Sequence, residues 1–160
     1  MKTKIFILST LFFFLTIVFG FAQAEETLPY EVKLMLRKGL VKEVEKEAEK
    51  MAAAGKDYMA NLTFGELALL KGDVRVAAIH FRKVMDLNPA GIEGKIGMAK
   101  VYAAEGDIKK AMLLLEEAKK VSPYKVRLYY EMGRLYEVYK EEKKAAWAYE
   151  QALERFFRGR

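Results

Sequence analysis

Apolar positions recur at helical spacing through most of the chain beyond residue 24. In residues 92–104, IEGKIGMAKVYAA, Ile92, Ile96, Ala99 and Ala103 share one face, with Met98 and Tyr102 beside it. Residues 108–121 repeat the spacing with Ile108, Ala111, Met112, Leu115 and Ala118. Glu105-Gly106-Asp107 separates the two predicted helices. Glycine accepts the positive φ of a helix C-cap, and aspartate can cap the helix that follows. Ser122-Pro123 ends the second helix, because proline lacks an amide donor and disfavours helix at the residue before it.

This helix–turn–helix unit returns at one constant step along the chain, from Ala77 to Ala111 to Ala145. Gly65, Ala99 and Gly133 keep the same step. So do Ala68, Tyr102 and Tyr136, then Phe81, Leu115 and Tyr149, and then Val84, Ala118 and Ala152. Gly72-Asp73 and Gly106-Asp107 occupy equivalent turns, where Lys140-Glu141 takes the third place, and Pro89 and Pro123 close two of the units. Small residues at the alanine and glycine positions let helices approach, and larger ones fill the space between. One unit cannot bury its apolar face alone, so stacked units share a continuous core.

The period, the Gly/Ala then Tyr of the first helix, the Ala then aromatic or Leu of the second, and the closing proline resemble the tetratricopeptide repeat (TPR). The likeness covers 58–91, 92–125 and 126–160 as three copies, although the family's early Trp is replaced by Asn61, Lys95 and Tyr129. With one residue fewer, 25–57 reads as a degenerate TPR-like copy: Gly39 falls at the turn, Val44 at the alanine position, Ala48 at the aromatic one and Met51 at the next. The expected fold is all-α, an α-solenoid of antiparallel helix pairs with about four repeats, the first degenerate. The resemblance implies a right-handed superhelix. The last copy is expected to lack a separate capping helix.

Residues 1–24 read differently. Lys2 and Lys4 precede an almost wholly apolar stretch over 5–19, and Ala22-Gln23-Ala24 offers the small-residue spacing of a signal-peptidase site. A cleaved secretory signal is expected, with periplasmic localisation and no later membrane span; an uncleaved segment would instead be an N-terminal membrane anchor. Lys2 and Lys4 account for two of the 28 basic side chains, so the remainder keeps a net charge of +4 against 22 acidic ones. That mild surplus reads as a solvated helical surface or, more sharply, as attraction to acidic partners or an anionic envelope surface, and nucleic acid is not an expected partner of an exported chain.

Composition excludes much chemistry. Cysteine is absent, so disulfides, thiolate nucleophiles and thiolate metal sites are excluded, and a single histidine excludes a multi-histidine metal site. His80 precedes Phe81 off the core face and is expected at the surface. Lysines interleave Glu43, Glu45, Glu47 and Glu49 at helical spacing, which reads as a solvated helix face. Gly91, Gly94 and Gly97 have no strand before them, so a loose inter-repeat turn plus close helix packing is expected rather than a phosphate loop. No catalytic residue, metal or cofactor is expected.

In TPR proteins the first helices of successive copies line a concave groove. Carried over by register, the resemblance implies a partner-binding groove of Met59, Leu62, Glu66, Leu69, Glu93, Ile96, Lys100, Arg127, Tyr130 and Arg134. It would be apolar at one end and basic at the other, suited to a peptide or helix with an acidic segment. The Lys and Asn pair that grips acidic chaperone tails is replaced by Leu62 and Glu66, which does not support that activity. At the C-terminal end Trp147, Tyr149, Leu153, Phe156 and Phe157 form a second candidate interface, through which copies would associate. The function expected is that of a protein-binding adaptor or scaffold in the cell envelope. A periplasmic holder of unfolded clients is the alternative, and an enzyme or small-ligand binder a further one.

Overall fold

The computed structural model describes residues 27–158, so the signal-peptide reading of residues 1–24 lies outside the described residues. Among the described residues there are eight helices and no strand. They are α1 (Tyr30–Arg37), α2 (Val41–Ala53), α3 (Asp57–Lys71), α4 (Val74–Leu87), α5 (Glu93–Ala104), α6 (Ile108–Val121), α7 (Val126–Val138) and α8 (Glu142–Arg158). Short connections make each helix antiparallel to the next, and every consecutive pair is in contact. The chain is an α-solenoid.

Two layers follow from which helices touch. The odd-numbered helices α1, α3, α5 and α7 contact one another in turn, whereas the even-numbered helices contact only their chain neighbours. The first helix of each pair therefore forms an inner layer and the second an outer one. The core lies between them. Val44, Ala77, Ala111 and Ala145 are buried at one register position of the outer helices, and Met51, Val84, Ala118 and Ala152 at another.

The turns explain where helices stop. Gly72 and Gly106 adopt φ of 80° and 81°, and the next amides, of Asp73 and Asp107, donate to the carbonyls of Ala68 and Tyr102 at 2.8 Å. This is a Schellman closure, in which left-handed backbone returns orphan carbonyls to a donor. Lys140 holds the third place at φ 57°, the only non-glycine with positive φ among the described residues. A side chain there costs about 1–2 kcal/mol. Asp107 caps α6 by accepting from the Lys110 amide at 3.1 Å, but Asp73 makes no side-chain cap to α4.

The glycines divide between helix packing and the inter-repeat turn, as read from their spacing. A Cβ on Gly94 would meet Met85, and one on Gly97 would overlap the Phe81 ring, so α5 lies close against α4. Gly91 donates its amide to Asn88 Oδ1 at 3.0 Å. His80 departs from expectation. It is half-buried, stacks on Phe64 with ring centres 5.2 Å apart, and its Nδ1 lies 2.9 Å from Asn61 Oδ1. Burial, then nearby Lys83, lowers its pKa, and its contacts link α3 to α4.

Candidate binding groove

The inner helices present charge at fixed intervals. Glu66 on α3, Lys100 on α5 and Arg134 on α7 share one register position, and Glu93 and Arg127 share another. Stacking turns these intervals into contacts. Lys100 Nζ meets Glu66 Oε2 at 2.5 Å, Arg127 Nη2 meets Glu66 Oε1 at 2.6 Å, and Arg127 Nη1 donates to Glu93 Oε2. Lys100 and Arg134 approach Glu131 at 4.0 and 3.4 Å. The result is an ion ladder binding three successive pairs along the inner face.

Its members are deeply set. The side chains of Glu93, Glu66 and Arg127 are 0%, 10% and 22% exposed. Burial alone would raise the Glu66 carboxyl, but Lys100 and Arg127 outweigh it and hold it below its ordinary value. Glu93 goes the other way: burial pushes its carboxyl up and Arg127 offsets only part of this. Geometry agrees, since Glu93 Oε1 has no hydrogen-bond partner among the described residues.

Opposite shifts give opposite linkage. A depressed carboxylate contributes stability above its unfolded value, 4.5 for Glu66, and loses it as pH falls through the folded value. A raised carboxylate favours the fold only when protonated, and that contribution is lost as pH rises through the folded value. Glu66→Gln should therefore destabilise at pH 7 and flatten the acid limb of the stability curve. Glu93→Gln should be neutral or stabilising at pH 7. Chemical denaturation of both variants from pH 3 to pH 8 checks this, and equal costs at pH 7 would contradict the assignment.

Two cavities flank the ladder, and Glu131 lines both. The smaller, about 480 Å³, is bordered by Leu69, Ile96, Lys100, Leu115, Arg134 and Leu135. The larger, about 950 Å³, lies between α1 and the last pair. Leu28, Tyr30, Lys33, Leu36 and Arg37 form one wall, Glu66 and Arg127 also border it, and Tyr130, Tyr149, Leu153 and Phe156 form the other wall. The rings of Tyr130 and Tyr149 sit 5.8 Å apart. Tyr149 donates to Glu137 at 2.7 Å, and burial together with that bond pushes its phenol up to about 12.

The structure thus divides the sequence-derived groove. Glu66, Glu93, Lys100, Arg127 and Arg134 come together in the ladder, Leu69 and Ile96 join Lys100 and Arg134 at the smaller cavity, and Tyr130 joins the larger. Met59 and Leu62 do not line either cavity. Both are buried in the core cluster that contains Leu28, Val32 and Met51, at the end of α3 that packs against the first pair, and Met59 borders a separate cavity beside Thr27, Pro29 and Met51. Glu93 is likewise too buried to meet a partner, and Arg127 is committed to two carboxylates.

The C-terminal candidates divide as well. Tyr149, Leu153 and Phe156 face the larger cavity, and the exposed Phe157 packs edge-on against Phe156. Trp147 lies on another side of α8, its ring 6.2 Å from that of Tyr129. They are not one surface, because residues two apart on a helix point about 200° apart. The wall from α1 was missed. Lys33 precedes Glu66 by one position less than a full repeat, so the shortened register of the first copy carried the signal.

No family model and no curated protein sequence matches the chain. Among solved structures it is similar to crystal structures of MamA. One, at TM-score 0.56 and 19% identity, covers 80% of this chain and 75% of that one. Another, at TM-score 0.55 and 20% identity, covers 78% of this chain and 68% of that one. The likeness is one of fold. Both chains are helical solenoids, and the site must be argued from its own residues.

Proposed function

We propose that this protein is a non-catalytic, TPR-type scaffold of the cell envelope that binds a segment of a partner protein between α1 and α7–α8. The charge distribution of the larger cavity carries the reading. Its acidic floor residues Glu66 and Glu131 and its cation Arg127 are engaged with other ladder groups, whereas Lys33 and Arg37 on the α1 wall have no ion pair among the described residues. The opposite wall is apolar and aromatic. Such a cavity suits a peptide or helix with apolar anchors and a carboxylate beside them. The engaged state of the titratable groups favours binding over acid–base chemistry, which needs groups free to reach a substrate. Export and an envelope setting rest on the Lys2, Lys4 and Ala22-Gln23-Ala24 pattern.

A photo-crosslinking residue placed at Tyr130 in cells should capture one dominant partner, identified by mass spectrometry. Lys33→Glu with Arg37→Glu should reduce that capture at least about tenfold, equivalent to about 1.4 kcal/mol, without changing the thermal midpoint. Capture that is unchanged by the charge reversal would overturn the groove assignment. A broad set of apolar clients in place of one partner would favour the holder of unfolded chains.

A further inference from the structure

The outer layer carries a second repeated pattern, at positions that line neither cavity beside the ladder. Ile79 on α4, Leu113 on α6 and Trp147 on α8 stand one full repeat apart, each two places after a buried alanine, Ala77, Ala111 or Ala145. They are exposed by 53%, 60% and 43%. An outward position of a helix in water is ordinarily polar, and here three successive copies place a large apolar side chain there. One helical turn earlier, on the same face, stand Arg75, Lys109 and Lys143. All three are exposed and none has an ion pair among the described residues. The first pair continues the cation row with Lys42 but places Lys46 where the apolar row would run, both exposed and both without an ion pair among the described residues.

Helix stability does not explain these cations. Arg75, Lys109 and Lys143 lie in the first turns of their helices, where the macrodipole disfavours positive charge. Beyond the apolar row the sign varies, with Arg82 and Lys83 on α4, Glu116 and Glu117 on α6 and Glu150 on α8, so the cations one turn before it are the charge that all three helices share. A protein partner is anchored by side chains seated in pockets. A fluid headgroup layer instead needs only apolar side chains to insert and cations to sit among its anions, and tryptophan favours that boundary.

We propose that Ile79, Leu113 and Trp147, with Arg75, Lys109 and Lys143 beside them, dock the outer face of the solenoid onto an anionic lipid surface. The groove between α1 and α7–α8 stays open on the inner layer, so lipid and partner engage different faces.

Trp147 is the only tryptophan, so its emission reports this face in the full chain even if residues 1–24 also bind lipid. The probe is a phosphatidylcholine vesicle with or without phosphatidylglycerol, each with brominated acyl chains. Trp147 should be quenched by the anionic vesicles and not by the neutral ones, with the effect fading as salt is raised. Arg75→Glu, Lys109→Glu and Lys143→Glu together should weaken the interaction at least about 100-fold at an unchanged thermal midpoint. Leu113→Ser, at the most exposed position of the row, should reduce quenching and serves as the second variant should the triple one not fold. Absence of quenching by anionic vesicles overturns the proposal. So does equal quenching of wild type and charge-reversed chain. A shift of Trp147 emission by polyglutamate without a response to vesicles would identify an acidic protein surface as the partner and also overturn it.

Discussion

Replacing Arg127 by glutamate should strongly destabilise the second half of the solenoid. The guanidinium joins Glu66 on α3 to Glu93 on α5, and it comes from α7, so one side chain links three of the four pairs. Glutamate there removes both ion pairs and brings a third carboxylate to two buried ones. Loss of one partner from a buried ion pair costs about 3–5 kcal/mol, and charge reversal adds repulsion in a low-dielectric setting. Arg127 keeps some solvent contact, which screens part of this, so at least about 4 kcal/mol is expected. For a domain of this size that lowers the thermal midpoint by roughly 15 °C. Circular dichroism melting measures it, and hydrogen exchange should show the loss centred on α5 to α8, because solenoid pairs are stabilised by their neighbours. Arg127→Met should also destabilise, and adding Glu93→Gln to it should recover much of the loss by removing the stranded charge. A midpoint for Arg127→Glu within a few degrees of wild type would mean that the ladder is a solvated surface feature.

The same ladder shows how far the sequence could be read. Its two rungs Glu66–Lys100 and Glu93–Arg127 each span one full repeat, so the register alone places the partners on neighbouring helices. What the register does not carry is depth. Whether a charge at that position is rinsed by solvent or sealed depends on how closely α3, α5 and α7 stack, which is set by side chains from other positions. Met59 and Leu62 show the complementary limit. Their place in the register is that of groove residues, yet both are buried in the core cluster that the first pair shares with α3. The first pair departs from the others by one residue, so Lys33 is reached only by its shortened register. Trp147 and Tyr149 belong to different sides of α8, as helical geometry alone separates residues two apart. His80 shows a third limit. Its position off the core face is right, but the polar contact to Asn61 and the stack on Phe64 depend on the angle between α3 and α4.

Phe81→Ala should cost about 3–5 kcal/mol, comparable to the loss of Arg127 but apolar in origin. Phe81 is wholly buried on α4 and packs between α3 and α5. A Cβ on Gly65 would lie 2.7 Å from the ring, and one on Gly97 closer still, so two glycines on neighbouring inner helices leave the space the ring fills. The ring thereby joins its own pair to the next one, and truncation opens a void at the junction where pairs exchange their nearest-neighbour stabilisation. Its surroundings are helix backbones held by other contacts, so collapse into the void is limited. Gly97→Ala tests the same fit from the other side. In the wild-type background the added methyl overlaps the ring and should cost about 1–3 kcal/mol. In the Phe81→Ala background the overlap is gone, the methyl fills part of the void, and alanine is the better helix former by about 1 kcal/mol, so the substitution should become neutral or stabilising. Urea denaturation of the four proteins in this cycle measures the change of sign. Additive costs would show that ring and glycine do not share the space, and that the close approach of α4 to α5 is held by other residues.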